Sequence, residues 1–257
     1  MSFRLMMEQA AKRTGSNIVL ALDLLPDTPR KLFLKAEEIL EAVHSHVCAV
    51  KFNRHLILPL GLFGDLQELV DQAESYELPT IMDCKINDIG NTNRVIAEYY
   101  FRAGFDAVTA NPFVGWSEGL QPLFEMARQM NRGVILLVYM SHKGAVEGYG
   151  QRVFVKKLGQ TVGQYSIFAE KAVEWQADGA VVGATFPDKM KELFFILGEK
   201  VPIYSPGIGA QGGMIEDAVN NGAKYLIVGR AITSAQDPSQ VAEDLKLTAQ
   251  RSLKAKI

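Results

Sequence analysis

Short apolar runs rich in β-branched residues recur eight times along the chain, and few folds accept that pattern. The runs are NIVLALD (17–23), VCAVKF (47–52), TIMDCK (80–85), FDAVTAN (105–111), GVILLVY (133–139), GAVVGA (179–184), VPIYSP (201–206) and KYLIVGR (224–230). Helical stretches such as RKLFLKAEEILEAVH, TNRVIAEYYFRAG and SEGLQPLFEMARQM separate them, and a last helix is expected from about Pro238. Strand–helix alternation requires parallel strands joined by crossover helices. Strands that are apolar almost throughout are buried on both faces. Eight such units in 257 residues predict an α/β fold, a (β/α)8 TIM barrel with an extra N-terminal helix over MSFRLMMEQAAKRTG. A doubly wound open sheet is the competitor. No linker, low-complexity tract or repeat beyond the βα unit interrupts the pattern, so residues 1–257 are expected to form a single domain.

Local signals refine this picture. Gly104, Gly179 and Gly222 stand just before strands, where glycine accepts the left-handed conformation that ends a helix. The longest connection, MSHKGAVEGYGQRVFVKKLG (140–159), is expected to be an ordered, functional loop. A formal net charge of −2 argues against a nucleic-acid polymer or an anionic membrane as partner. The two cysteines, Cys48 and Cys84, fall outside any CxxC pattern, which excludes a disulfide scaffold and a Cys-rich zinc site. The N-terminal segment lacks the apolar core and cleavage site of a signal peptide. No apolar run is long enough to span a bilayer. A cytoplasmic location is therefore expected.

Charge concentrates where three consecutive runs end. Asp23 closes the first and Lys51 the second, and Asp83 and Lys85 close the third, with Asp88 just beyond. In a strand, residues i and i+2 point to one side, so the pleat puts Asp83 and Lys85 together and turns Cys84 away. The C-terminal ends of barrel strands are where active sites form. One charge at a strand end reads as a structural ion pair, or for Asp88 as a helix cap. Five at one rim read as an alternating acid–base array in which each group stays ionised. A lysine in such an array stabilises developing negative charge and then delivers a proton, and a carboxylate beside it keeps it protonated. That combination suits chemistry that creates a carbanion.

The opposite side of the mouth carries SPGIGAQGG (205–213) and VGRAIT (228–233), after the seventh and eighth runs. Loops in these positions of a barrel commonly bind phosphate. Gly207, Gly209, Gly212 and Gly213 let backbone N–H groups approach an anion, Arg230 offers a planar fork, and Gln211 an amide donor. Alternatively, the glycines merely turn tight loops and Arg230 pairs with a surface acid.

Together these residues resemble the orotidine 5'-monophosphate decarboxylase family. DCKINDIGNT is similar to its D-x-K-x-x-D signature, and SPGIGAQGG and VGRAIT are similar to its phosphate loops. The resemblance implies a homodimer of barrels with shared active sites and no metal or organic cofactor. It also implies conversion of orotidine 5'-monophosphate to uridine 5'-monophosphate and carbon dioxide, the last step of pyrimidine nucleotide synthesis. By motif position, Lys85 stabilises and protonates the pyrimidine C6 carbanion, and Asp83 sits beside the departing carboxylate. Lys51 bridges the charges and reaches the ribose, and Asp23 contacts the ribose hydroxyls. Asp88, counted with the catalytic residues, and Thr92 enter the partner subunit's site. Ser141 recognises the pyrimidine amide. Gln211, Gly229 and Arg230 hold the phosphate, with the loop around 206–213, including Pro206, closing over it. Gly90 stands where the family often has proline, which is expected to loosen the loop carrying Asp88 and Thr92.

The nearest rival is the related class of magnesium-dependent sugar-phosphate enzymes, such as 3-keto-gulonate 6-phosphate decarboxylase. These carry an acidic metal ligand at the end of the second strand, where Lys51 stands here and would repel a divalent ion. A non-catalytic phosphate-binding barrel would leave Asp83 and Lys85 without a task. His44 and His46 fall on different helix faces and read as surface residues. His55 has no ligand-spaced neighbour. His142 and Lys143 either line the active rim or are simply solvated. Cys84, Trp116 and Trp175 read as packing.

Overall fold

The structure, a computed structural model, describes residues 1–209 and 211–254. Ala210, within the glycine-rich loop, and residues 255–257, the end of the expected domain, lie outside the described residues. Helix α1 (Phe3–Thr14) precedes β1 (Ile18–Ala21), α2 (Pro29–Val43) and β2 (Ala49–Asn53). Two helices, α3 (Arg54–Leu60) and α4 (Leu66–Ser75), lead to β3 (Thr80–Ile86). Then come α5 (Gly90–Arg102), β4 (Ala107–Ala110), α6 (Gln121–Gln129) and β5 (Gly133–Tyr139). A hairpin of β6 (Arg152–Val155) and β7 (Gln160–Gly163) leads to α7 (Gln164–Glu174) and β8 (Gly179–Val182). The remaining elements are α8 (Pro187–Leu197), β9 (Ile203–Pro206), α9 (Ile215–Asn220), β10 (Ala223–Val228), α10 (Arg230–Thr233) and α11 (Pro238–Lys254).

Strands β1, β2, β3, β4, β5, β8, β9 and β10 pair in parallel in that order, and β10 closes on β1. These are the eight apolar runs, closed into a TIM barrel rather than an open sheet. Every residue of β1, β4, β5 and β8 is buried, as strands covered on both faces require.

Three local readings change. The 140–159 connection is not a plain loop: its second half pairs as the antiparallel β6–β7 hairpin, and α7 starts only at Gln164. The hairpin strands RVFV and QTVG neither alternate apolar with polar residues nor form an apolar run of the kind that marks the barrel strands. Helix α3 is unmarked in the sequence because Pro59 lies inside it and Gly61 ends it, both signals of a turn. Gly104 and Gly222 do take left-handed backbone at φ 91° and 105°, whereas Gly179 does not. Gln176 takes the left-handed backbone after α7, at φ 58°. Gly179 instead makes room for a ring: a Cβ there would lie 2.3 Å from Tyr204 Cε2.

Helix α1 lies across the N-terminal mouth of the barrel. Its Phe3, Met7 and Ala10 are buried. The Phe3 ring packs against Gly133 at the start of β5, so closely that a Cβ on Gly133 would lie 2.4 Å from it. Arg4 donates to the Ala177 carbonyl and stands 3.9 Å from Asp178, just ahead of β8. Lys224 of β10 donates to Glu8 at 2.7 Å. The plug thus ties three strand starts to one helix. Phe3→Ala is expected to destabilise the protein by about 3–5 kcal/mol, because the ring has no partner that can collapse into its place. Urea denaturation checks this as a lower midpoint at unchanged slope.

Candidate active site

At the other mouth, Asp23, Lys51, Asp83 and Lys85 line one cavity with Ser141, Pro206, Gln211, Gly229 and Arg230. Its floor is apolar, with Ile81, Ile135, Leu137, Val181 and Ile227. Nine of the eleven residues expected from sequence therefore converge. Asp88 and Thr92 are not among the lining residues; Asp88 is exposed on the loop before α5.

The charged side is a chain of contacts with Asp83 in the middle. Lys51 donates to Asp83 Oδ2 at 2.8 Å, and Lys85 donates to Asp83 Oδ1 at 2.7 Å. Lys51 also stands 3.6 Å from Asp23 Oδ1, which accepts from the Asn53 amide at 3.3 Å. Burial alone would raise the Asp83 pKa, but the ammoniums of Lys51 and Lys85 outweigh it and hold the carboxyl well below the usual range. Burial alone would lower the Lys51 pKa, but Asp83 and Asp23 outweigh it and raise it. Asp83 stays a carboxylate and Lys51 an ammonium at neutral pH.

The pleat is not what brings Asp83 and Lys85 together. Lys85 has a left-handed backbone, with φ 50°. From Met82 to Ile86, β3 advances four residues while β4 advances two, from Val108 to Ala110. A bulge therefore re-aims Lys85. The Thr109 hydroxyl accepts from the Lys85 backbone N–H at 2.9 Å and donates to Asp83 Oδ1 at 3.0 Å. Thr109 and Asn53 are polar contributors that sequence reasoning missed: Thr109 is embedded in an apolar run, and Asn53 stands just past the end of one. Cys84 is buried, and burial together with the neighbouring Asp83 carboxylate pushes its thiol up to about 12, an unreactive packing residue.

The glycine-rich side is built from backbone. Gly209 N–H donates to the Gly213 carbonyl at 2.9 Å, and Gly213 N–H donates to the Gly207 carbonyl at 3.0 Å, folding the loop on itself. A Cβ on Gly213 would lie 2.7 Å from the Gly207 oxygen. At Gly229 a Cβ would lie 3.2 Å from Asp23 Oδ2, so the two sides of the mouth meet there. The Ser141 carbonyl accepts from the Thr185 hydroxyl at 2.8 Å, and Gly183 leaves room for the Ser141 backbone. His142 and Lys143 are exposed and do not line the cavity.

The loop bearing Asp88 is tied rather than loosened. Buried Asn93 accepts from the Asp88 backbone N–H at 3.0 Å and donates to the Asp88 carbonyl at 2.5 Å and to the Gly119 carbonyl at 2.9 Å. Gly90 is a point of close approach: a Cβ would lie 2.9 Å from the Glu118 oxygen and 3.0 Å from Pro122 Cγ. A larger residue would push α5 away from its neighbour. The described residues contain no group of three or more His, Cys, Asp or Glu placed to hold a metal ion. No helix among them is long and apolar enough to cross a membrane.

Comparison with known proteins agrees with this geometry. Residues 16–245 match the model of the Orotidine 5'-phosphate decarboxylase / HUMPS family. The orotidine 5'-phosphate decarboxylase of Methanosarcina mazei is 37% identical over 239 residues, which cover 93% of this chain and 97% of that protein. The crystal structure of orotidine 5'-monophosphate decarboxylase from Methanocaldococcus jannaschii, complexed with inhibitor BMP, aligns with a TM-score of 0.74. That alignment has 30% identity and covers 91% of this chain and 98% of the other. The UMP synthase of Leishmania donovani aligns with a TM-score of 0.86 at 26% identity, over 99% of this chain, which spans 57% of that longer one. The chain belongs to the Orotidine 5'-phosphate decarboxylase / HUMPS family.

Proposed function

We propose that this enzyme, a carboxy-lyase by family, decarboxylates orotidine 5'-monophosphate to uridine 5'-monophosphate, without a metal, through a C6 carbanion. The observation that carries the reading is the Lys85 ammonium, held 2.7 Å from the Asp83 carboxylate in the cavity that Gln211 and Arg230 also line. The C6–carboxylate bond breaks, its electron pair stays on C6, and carbon dioxide leaves. Lys85 Nζ stabilises that charge and gives C6 its proton. The resulting neutral amine regains a proton from solvent. Asp83 lies beside the departing carboxylate and holds Lys85 Nζ in place by accepting its hydrogen bond. Lys51 and Asp23 take the ribose, and Ser141 the pyrimidine amide. Pro206, Gln211, Gly229 and Arg230 surround the phosphate, whose remote binding energy organises the reacting end. Metal independence is supported by Lys51, a buried cation at the place where the related magnesium enzymes carry an acid.

Two copies share their sites in this reading. Asp88 is exposed and does not line its own cavity, as a residue serving a partner requires. Large apolar side chains also stand exposed, among them Ile89 next to Asp88, Leu58, and Phe63 and Tyr99, whose rings are 6.3 Å apart. A second copy would cover them.

Orotidine 5'-monophosphate is expected to lose its absorbance signature at an undiminished rate with EDTA present. Loss of activity in EDTA and its return with magnesium would overturn the metal-free route. Lys85→Ala should lower kcat by about 10³-fold or more, since charge stabilisation and proton delivery go together. Retention of about a tenth of the rate refutes its role. Asp88→Ala and Lys85→Ala chains, refolded together, should recover roughly a quarter of wild-type activity. Half of randomly assorted dimers are mixed, and each mixed dimer has one intact site. No recovery above the parent variants argues against sharing.

A further inference from the structure

Thr109 occupies the middle of a buried strand, where any β-branched residue would satisfy the packing. It is 2% exposed. Yet its hydroxyl makes two hydrogen bonds that no aliphatic residue makes, both to the pair at the centre of the site. Across the bulge, Thr109 alone on β4 faces Asp83, Cys84 and Lys85 on β3. The parallel ladder has no regular carbonyl partner for the Lys85 N–H in that stretch, and Lys85 is held at φ 50°, a conformation a lysine keeps only where its surroundings impose it. The hydroxyl oxygen supplies the missing acceptor. Its own hydrogen goes to Asp83 Oδ1, the same oxygen that accepts from Lys85 Nζ. A closed ring results, running from the Lys85 backbone through Thr109 to the Asp83 carboxylate and back through the Lys85 side chain. Donor and acceptor on one atom is a property of a hydroxyl. The Cys84 thiol, between the two charged residues, donates to the Thr109 carbonyl at 3.5 Å, so the whole bulge is fastened to this residue.

We propose that Thr109 is a positioning residue whose hydroxyl holds the β3 bulge in the form that sets Lys85 Nζ against Asp83. The proposal rests on the reading of Asp83 and Lys85 as the reacting pair. It assigns Thr109 an effect on turnover rather than on substrate affinity.

The test compares Thr109→Val, which keeps shape and loses both hydrogen bonds, with Thr109→Ser, which keeps the hydroxyl. Thr109→Val is expected to lower kcat roughly ten- to a hundredfold at a KM within about threefold of wild type, the signature of a misplaced reacting group. Thr109→Ser is expected to stay within about threefold of wild type in both. Amide hydrogen exchange on the ligand-free protein supplies a readout that needs no substrate. The Lys85 amide should exchange at least about tenfold faster in Thr109→Val and stay protected in Thr109→Ser. If the valine variant does not fold, Thr109→Ala takes its place. Unchanged kcat together with unchanged Lys85 protection overturns the proposal, as does a serine variant as impaired as the valine variant. Faster Lys85 exchange in a protein whose wild type does not decarboxylate the nucleotide would sink the functional reading and leave the positioning role standing.

Discussion

The site turns on a single carboxylate shared by two ammoniums. Asp83 accepts from Lys51 and Lys85 through different oxygens, and Lys51 is itself held between Asp83 and Asp23. Taking away the middle charge would leave Lys51 nearly without solvent and half its compensation gone, which is the costly way to break a buried pair. The other end of the barrel shows that burial alone does not produce this state. Asp106 accepts from the Thr80 backbone N–H and pairs with Arg132, and Asp178 accepts from the Val134 N–H near Arg4. In both, burial outweighs those partners and the carboxyl pKa rises. Two close ammoniums on one carboxylate reverse the balance at Asp83. The barrel thus has one end where acids cap strand starts and another where ionised groups of both signs are kept in contact.

The barrel was legible because its signal is long-range and redundant. Eight runs and their spacing survive an error at any one of them, and a missed helix such as α3 changes nothing in the count. The convergence of Asp23, Lys51, Asp83 and Lys85 was legible for the same reason, since strand ends of a barrel share a rim. What the sequence hid are features that depend on a backbone departing from its regular form. The β6–β7 hairpin carries neither a clean alternation nor an apolar run. The bulge at Lys85 leaves no mark, because D-C-K alternates as a regular strand would, and the pleat argument reached the right neighbours by the wrong route. Thr109 is hidden by its own ordinariness: threonine in a strand is read as a branched side chain, and its hydroxyl takes on meaning only once the fold sets it between Lys85 and Asp83.

The two sides of the cavity mouth use different materials. Side chains make the charged side, and strand ends and the β3 bulge place them. Backbone makes much of the other side, where Gly207, Gly209 and Gly213 bond to one another, with Gln211 and Arg230 lining the cavity beside them. The halves are not independent. Gly229 lies against Asp23, and Gly207 would, with a Cβ, come within 3.2 Å of Gln211 Oε1 and 3.1 Å of Ser141 Cβ. Small residues at these contacts let the segment after β10 approach that after β1, and the loop after β9 approach that after β5.

Gly90 shows how a local rule reverses in context. A glycine in place of a proline releases backbone freedom in an isolated loop. Here the residue opens α5 at a point where the Glu118 carbonyl leaves no space for a side chain, and the Asn93 side chain hydrogen-bonds the Asp88 and Gly119 backbone. The loop is held by packing and a buried amide instead of by a fixed φ angle. Such an anchor acts only in the folded state, so it limits the native loop without stiffening the unfolded chain. An exposed Asp88 on an anchored backbone meets what a residue acting in a neighbouring subunit needs: its carboxylate stands in solvent with, among the described residues, only the Ile89 backbone N–H on it, at 2.7 Å, and its main chain is already ordered before the neighbour arrives.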